Sequence, residues 1–363
     1  MDTPVLTMPM ASALTDWYHR NKRTLPWRDT GNPYDVWISE IMLQQTRVEA
    51  VIPRFLAFRR ELPDIPALAA CPPNRLMKLW EGMGYYSRAR NLQKCAAVLV
   101  NEYDGELPAK PEELIRLPGI GPYTAGAIAA IAFGQPVPAV DGNVLRVLAR
   151  IVAVADDIRA EGTKEAIRAA IADFYRLEQV SDGGFISAFT QALMELGALV
   201  CVPNGVPRCE ACPLRGYCAA FRKQLTDRIP YRSALKQRRI VPLTVLVIRD
   251  GSRFALHRRP AGGLLAGLYE FPNVPGHQSR EEVIRYMESL QIPVLRIRKL
   301  PDARHVFTHL EWQMSGYELT VENMDALPMP ETILLTKKEL QSFAVPSAFD
   351  VYMKYYDLRS ASS

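Results

Sequence analysis

Four cysteines lie close together in the second half of the chain, at Cys201, Cys209, Cys212 and Cys218, in the pattern C-x7-C-x2-C-x5-C. Thiolates grouped in this way can hold a structural zinc ion or an iron–sulfur cluster. Zinc sites usually pair two C-x2-C knuckles, and this pattern contains only one tight pair. The spacing therefore favours an iron–sulfur cluster, with zinc as the alternative.

A second group of residues forms the string LPGIGPYTAG, which runs from Leu117 to Gly126. Gly119 and Gly121 permit a tight turn between two helices, and Pro122 suits the first turn of the second helix. Backbone amides at such a turn point outwards and can bind a phosphate. The string predicts a helix-hairpin-helix DNA-binding turn; a plain corner between two helices is the alternative.

Two carboxylates stand in segments with apolar periodicity. Asp141, in VPAVDGNVLRVLAR, begins a helical pattern and is typical of an N-cap, although a capping carboxylate can also face a cleft. Glu40, in WISEIMLQQTRV, has apolar neighbours. Two interpretations stay open: a buried carboxyl group with a raised pKa, or an ordinary glutamate on a helix surface. Together the two groups would supply an acid and an electrostatic partner for cleavage of a glycosidic bond.

The elements that must position these residues change along the chain. Residues 12 to 222 predict an all-α region, because apolar residues such as Val144, Leu148 and Ile151 recur at helical spacing. Residues 223 to 239 are rich in Lys and Arg and predict a basic linker. Residues 240 to 357 predict a mixed α/β domain, with alternating strands and a helix capped by Ser279, and residues 358 to 363 form a tail.

Composition narrows the function only slightly. The 363 residues carry a formal net charge of +5, which is compatible with binding of nucleic acid without requiring it. We find no long apolar run that would span a membrane and no basic residue in the first fifteen, so a cytosolic protein is the expectation. Cys71 and Cys95 stand alone in apolar segments and indicate buried, inert thiols.

Taken in order, these motifs resemble the adenine DNA glycosylases of the helix-hairpin-helix, iron–sulfur superfamily. The resemblance covers nearly the whole chain and includes LPWR at 25–28, SEIMLQQTRV at 39–48 and WEGMGYYSRARNL at 80–92. It also includes VDGNVLRVL, the four cysteines and RHVFTHLEW at 304–312. It implies a helix-hairpin-helix glycosylase region with a 4Fe-4S cluster over residues 1–222, followed by a Nudix-like domain over residues 240–357.

The resemblance implies a role for each matching residue. Glu40 would protonate the imidazole-ring nitrogen of adenine, and Asp141 would stabilise the oxocarbenium-like sugar or bond to it transiently. Tyr123 and Asn143 would position these groups and the sugar, and the adenine pocket would be formed by Arg28, Leu43, Val48 and Gln191. Gln45 and Tyr85 would wedge into the duplex. Gly119 and Gly121 would bind DNA. The substrate would be adenine opposite 8-oxoguanine or guanine in double-stranded DNA. The enzyme would be a monomer in the cytoplasm, associated with the nucleoid if bacterial.

Two further expectations follow from the resemblance. A phenol at Tyr123 replaces the lysine of lyase relatives, so the enzyme would be monofunctional. The segment SREEVIRYMES lacks the paired acids of a working Nudix hydrolase, so the second domain would be a recognition module that meets 8-oxoguanine through Phe307, Thr308 and His309. The alternatives are a bifunctional lyase on oxidised pyrimidines, a lesion-binding protein without catalysis, and a Nudix pyrophosphatase.

The chain departs from the family pattern at two places. The first cysteine gap is seven residues long where the family usually has six, and a loop residue near Gly205 would absorb the extra length. Thr308 stands where serine is usual, so the hydroxyl is kept while the added methyl group would weaken or reshape its contact.

Overall fold

The computed structural model describes residues 6–177, 179–234, 237–325 and 329–358. The tail predicted after Leu358 and two residues of the predicted linker, 235 and 236, lie outside the described residues. The chain divides into two compact units. The helical unit comprises the residues up to Ala70 and Asn91–Ala234, and the second unit comprises Cys71–Arg90 and the residues after Ala234.

The region up to Ala234 is helical, as the apolar periodicity predicts. Its helices are α1 (Met8–Asn21), α2 (Pro33–Leu43), α3 (Val48–Glu61), α4 (Ile65–Ala70), α5 (Pro73–Leu79), α6 (Ser87–Glu102), α7 (Pro111–Leu114), α8 (Pro122–Phe133), α9 (Gly142–Val152), α10 (Glu161–Tyr175), α11 (Gly183–Leu199) and α12 (Ala219–Arg222). Two 3-10 turns, Cys209–Ala211 and Arg215–Tyr217, precede α12.

The core of the helical unit lies between α1, α9, α10 and α11. Leu148 and Leu196 are buried there against apolar residues of α1 such as Leu14. Burial of each such side chain contributes roughly 1.5–3 kcal/mol to folding, and this core holds α9 and α11 at fixed positions. Asn143 and Gln191 lie on these two helices, and Asp141 and Cys201 lie next to their ends, so the core determines where those side chains meet.

The second unit contains one mixed sheet with helices on its faces. The strands are β1 (Arg239–Asp250), β2 (Arg253–Arg258), β3 (Tyr269–Glu270), β4 (Asn273–Pro275), β5 (Val294–Val306), β6 (Leu310–Val321) and β7 (Thr332–Thr336), and the helices are α13 (Arg280–Ser289), α14 (Lys337–Leu340) and α15 (Asp350–Tyr355). The order β3-β2-β1-β6-β5 places the parallel pair β1–β6 at the centre, while β4 pairs with β1 and β7 with β2.

Both faces of the sheet are covered by apolar clusters. Met287 of α13 packs on one face against residues such as Leu246. Tyr352 of α15 packs on the other, beside Trp312. The predicted strand signals of β1 and β6 and the capping box of Ser279 and Glu282 are confirmed. The second unit is therefore the α/β domain that the change of periodicity predicts.

Segment Cys71–Arg90 groups with the α/β domain, although the sequence placed it within the helical region. Lys78 Nζ donates to the Phe343 carbonyl at 3.3 Å, and Arg90 Nη1 donates to the Ala266 carbonyl at 2.8 Å. The acceptors are backbone atoms, which no side-chain pattern reveals. Within the described residues, none of the helices is both long and apolar enough to cross a membrane.

Candidate active site

A cavity of about 750 Å3 opens in the helical unit between α2, α8, α9 and α11. It brings together nine of the residues that the sequence analysis singled out. These are Arg28, Glu40, Leu43, Gln45, Val48, Tyr123, Asp141, Asn143 and Gln191. Residues more than 150 positions apart thus share one wall, which makes this cavity the candidate active site.

Glu40 is a buried carboxyl group in this cavity, with 8% of its surface exposed. It lies on α2, which begins at Pro33 with Asn32 as its N-cap. Tyr123 donates its hydroxyl to Glu40 Oε2 at 2.5 Å. Burial raises the pKa of Glu40 to about 7, and the charge of Asp141 acts in the same direction against the Tyr123 hydrogen bond. A carboxyl group in this state can give up or take a proton near neutral pH.

Asp141 caps α9 and faces the same cavity, so both interpretations from sequence hold together. Its Oδ1 accepts from the amides of Asn143 and Val144 at 2.9 and 2.8 Å, and its Oδ2 accepts from Asn143 Nδ2 at 2.7 Å. Burial raises the pKa of Asp141 despite these hydrogen bonds, each of which lowers it. The carboxylate is thus oriented by the helix that it begins.

The predicted glycine turn fixes the start of α8. Gly119 has φ +79°, and a Cβ there would lie 2.6 Å from the Cβ of Asn91, so this position requires glycine. Gly121 is the N-cap residue and Pro122 opens the helix. Tyr123 therefore lies in the first turn of α8, and the turn determines where its hydroxyl meets Glu40.

Asn143 is held from behind by Arg146, a residue that the sequence analysis did not single out. Arg146 Nη2 donates to Asn143 Oδ1 at 2.9 Å and to the Gly197 carbonyl at 2.7 Å, and Nε donates to the Cys201 carbonyl at 2.6 Å. Only 3% of Arg146 is exposed. The sequence did carry a signal for this residue, an arginine on the apolar face of VLRVLAR. An arginine that is buried there needs several hydrogen-bond acceptors.

Glu195 is the second residue that sequence reasoning missed. It accepts from Arg23 Nη2 at 2.8 Å and from Arg28 Nη2 at 2.7 Å, and it is 1% exposed. Burial alone would raise the pKa of Glu195, but the hydrogen bonds from Arg23 and Arg28 outweigh it and lower the pKa to about 2. Tyr18 supports two residues of this wall, because its hydroxyl donates to Gln191 Oε1 at 2.9 Å and its ring lies 5.6 Å from the Arg28 guanidinium carbon.

The four predicted ligand cysteines meet around a separate small cavity of about 30 Å3. The cavity is lined by Cys201, Cys209, Cys212 and Cys218, together with Arg150, Arg215, Thr226 and three apolar residues. None of the four cysteines forms a disulfide. Arg150 Nη1 lies 3.2 Å from Cys201 Sγ. Gly205, with φ +77° and open space around it, lies in the seven-residue gap, where a loop can absorb an extra residue.

In the second unit, the residues expected to read the opposite base also lie together. Tyr85 is 46% exposed with φ +45°, and its hydroxyl lies 2.6 Å from Thr308 Oγ1. Phe307 packs its ring against Trp312 at 5.0 Å, and Thr308 and His309 are exposed. The loop therefore presents a hydroxyl and an imidazole to solvent beside an exposed aromatic ring.

Comparison with known proteins agrees with both units. Residues 38–173 match the family model of the HhH-GPD superfamily base excision DNA repair protein, and residues 244–355 match that of the NUDIX domain. The structure of a thermostable thymine-DNA glycosylase is similar to this chain with a TM-score of 0.52 at 27% identity, over 59% of this chain and 95% of that one. The fold and site thus define a base-excision DNA glycosylase carrying a Nudix-type domain, which confirms the predicted fold class.

Curated relatives narrow this class further. The adenine DNA glycosylase of Mus musculus is 33% identical, with 95% of this chain and 77% of that protein covered. The adenine DNA glycosylase of Buchnera aphidicola subsp. Baizongia pistaciae (strain Bp) is 32% identical over 91% of this chain and 97% of that protein. The chain belongs to the adenine DNA glycosylase family, as the motifs indicated.

Replacing Glu195 should loosen the wall of the cavity. Glu195→Gln leaves two arginines without their shared carboxylate, so we expect the free energy of unfolding to fall by about 3 kcal/mol. Denaturant unfolding measures this change. Glu161→Gln is the matched control, since Glu161 also pairs with two cations, Lys164 and Arg168, but is 60% exposed and should change stability by less than about 0.5 kcal/mol. Equal losses in the two variants would contradict this assignment.

Proposed function

We propose that this protein removes adenine mispaired with 8-oxoguanine or guanine from duplex DNA, as a monofunctional glycosylase. The observation that carries the proposal is the meeting of Glu40, Tyr123 and Asp141 in one cavity of about 750 Å3. A cavity of this size accommodates a base and its sugar when the nucleotide is turned out of the duplex. Extrusion costs least at a mispair, so the mispair itself contributes to selectivity.

Within the cavity, Glu40 and Asp141 take different tasks. Glu40, whose pKa is about 7, donates a proton to a ring nitrogen of adenine and so makes the base a better leaving group. As the N-glycosidic bond breaks, positive charge develops on the sugar, and the carboxylate of Asp141 stabilises it. Glu40, once deprotonated, then accepts a proton from the attacking water.

The adenine pocket is formed by residues held in place before the substrate binds. The hydrogen bonds from Tyr18 to Gln191 and from Arg28 to Glu195 fix two polar groups on one wall. Leu43 and Val48 add apolar surface for the purine ring. Gln45, exposed with φ +58°, stands at the edge of the cavity in a position suited to fill the gap left by the base.

Monofunctional activity is supported by the chemistry of the cavity wall. A lyase that cleaves the strand through an imine needs a primary amine near the sugar. Tyr123 occupies the matching position of the helix-hairpin-helix string, and among the described residues that line the cavity none is a lysine. Water is therefore the nucleophile that completes the reaction, and the strand stays intact.

The second unit is the proposed reader of the opposite base. The Thr308 hydroxyl and its contact with Tyr85 place hydrogen-bonding groups beside an aromatic ring. 8-Oxoguanine differs from guanine by a carbonyl and a ring N–H, which these groups recognise. The preference for 8-oxoguanine over guanine would be set by these residues of the second unit.

We also propose that Cys201, Cys209, Cys212 and Cys218 hold a 4Fe-4S cluster. The residues fit such a group, because four free thiols line one cavity beside the guanidinium of Arg150. The spacing C-x7-C-x2-C-x5-C, with only one tight pair, favours the cluster over a single zinc ion. The cluster would tie together the loop that follows α11.

The decisive experiment offers one adenine opposite 8-oxoguanine in a duplex and follows base release. Alkali converts abasic sites into strand breaks, and parallel duplexes carry adenine opposite thymine and thymine glycol opposite adenine. We expect alkali-dependent cleavage only at adenine facing 8-oxoguanine. Cleavage without alkali at thymine glycol would instead indicate a lyase, and tight binding without cleavage would indicate a lesion sensor.

The same assay includes Asp141→Asn. Asparagine caps helices as well as aspartate does, so α9 should stay folded while base release is abolished and duplex binding persists. Asp182→Asn is the control, because Asp182 caps α11 by accepting from Phe185 N at 2.7 Å. Near-normal turnover by Asp141→Asn would show that the charge of Asp141 is not needed for base release.

The pH dependence of base release should follow Glu40. The protonated acid is the active form, and it is lost as the pH rises through about 7, so the single-turnover rate should fall above that pH. Glu40→Gln, which cannot donate a proton in this way, should be slow and lack this pH limb. A wild-type rate that keeps rising between pH 7 and pH 8 would exclude Glu40 as the acid.

The native protein should be brown, with absorbance at about 400 nm and about four iron atoms per chain. Metal analysis of protein purified without added iron or zinc tests this. Cys212→Ser should lose the colour, while Cys95→Ser, at a buried cysteine distant in sequence, should keep it. A colourless, zinc-loaded preparation would refute the cluster.

A further inference from the structure

The loop that presents Thr308 joins two long strands, β5 and β6. Phe307 N donates to the Leu310 carbonyl at 2.8 Å and closes the turn between β5 and β6. Thr308 itself is exposed, and its hydroxyl lies 2.6 Å from the hydroxyl of Tyr85. A hydroxyl that must distinguish two similar purines needs a fixed position, and the residues behind the loop must supply it.

Glu311, the second residue of β6, lies directly behind this loop. It is a buried carboxylate, and it accepts two parallel hydrogen bonds from Arg304 of β5, at 2.7 and 2.6 Å. Gln313, which faces Arg304 across the strands, donates to the same carboxylate at 3.2 Å. The hydrogen bonds from Arg304 and Gln313 hold the pKa of Glu311 below its usual value. The ends of β5 and β6 are therefore tied together where the loop begins.

Arg238 and Arg239, at the start of β1, hold the loop from the other side. Arg238 Nε donates to the Phe307 carbonyl at 3.1 Å, and the Arg239 amide donates to the His309 carbonyl at 3.2 Å. These two carbonyls flank Thr308. The charge of Arg238 is also close enough to Glu311 to lower the pKa of that carboxyl group.

We propose that Glu311, together with Arg304 and Arg238, is a positioning site that fixes the Thr308 hydroxyl and so sets the preference for 8-oxoguanine over guanine. The inference rests on the proposed function, which assigns the reading of the opposite base to Thr308. We call Arg238, Arg304, Glu311 and Gln313 the Glu311 cluster. Its members act through Thr308 and need no contact with the base.

The same two strands carry a natural control at their other end. Glu318 of β6 is buried to the same extent as Glu311, at 8% exposed, and it pairs with Arg298 of β5. Tyr356 donates to Glu318 at 2.6 Å. The two glutamates lie on the same strand and are equally buried, so loss of either Glu–Arg pair should weaken the sheet. Only Glu311 lies next to the loop along the strand, so only its loss should affect reading of the base.

The experiment compares Glu311→Gln and Glu318→Gln in the full-length protein. The measured quantity is the ratio of single-turnover rates for adenine opposite 8-oxoguanine and adenine opposite guanine, with thermal unfolding measured alongside. We expect Glu311→Gln to lower the ratio about tenfold, equivalent to one lost hydrogen bond, and to leave the rate opposite guanine within about twofold. Glu318→Gln should leave the ratio unchanged. If Glu311→Gln fails to fold, Arg238→Met takes its place, because Arg238 is exposed. This variant should also lower the ratio.

A double-mutant cycle separates positioning from general loosening. If the Glu311 cluster acts through Thr308, then Thr308→Ala lowers the ratio and Glu311→Gln lowers it no further on that background. Additive losses, equal effects of the Glu311 and Glu318 variants, or a ratio unchanged in both Glu311→Gln and Arg238→Met would each overturn the proposal. A wild-type enzyme that removes adenine equally fast opposite both purines would refute the proposed specificity itself. That result is distinguishable from a failure of the Glu311 cluster proposal.

Discussion

Glu40 is a carboxyl group taken out of water, and the arrangement of the cavity follows from what that burial requires. A buried carboxyl group favours its protonated form unless neighbouring groups stabilise the charge. The Tyr123 hydroxyl supplies one hydrogen bond, and the positive charge of Arg28 acts in the same direction, while Asp141 opposes both. The balance leaves the pKa near 7, so the cavity can hold the group in either state. An exposed glutamate at the same place would be ionised and could not act as an acid.

The two carboxyl groups differ because their local structures differ. Asp141 receives three hydrogen bonds from the first turn of α9, where the helix dipole also favours negative charge. Glu40 lies in the middle of α2 with one such bond, from Tyr123. Burial raises the pKa of both groups, and three hydrogen bonds oppose it at Asp141 where one opposes it at Glu40. One residue is therefore suited to remain a carboxylate and the other to carry a proton, although both face the same cavity.

The sequence was sufficient to predict the two folds, the start of α9 and nine of the residues that line the cavity. Periodicity and capping residues are local signals, and Asp141 was identified correctly as a helix cap because such a cap depends only on the next three residues. Glu195 and Tyr18 escaped notice because their partners, Arg28 and Gln191, are more than 160 residues away in the chain. No local pattern distinguishes a buried, doubly paired glutamate from one on a helix surface.

Helix α9 shows why the missed residues matter as much as the predicted ones. Its first turn carries Asn143, and one turn later Arg146 joins that side chain to the Cys201 carbonyl. A further turn on, Arg150 donates to the Ile229 carbonyl at 2.7 Å and contacts the Cys201 thiol. Two buried guanidinium groups need many acceptors, and the segment around Cys201 supplies them as backbone carbonyls. The cysteine loop and the start of α9 are consequently fixed to one another, so the position of Asp141 depends on residues that never reach the cavity.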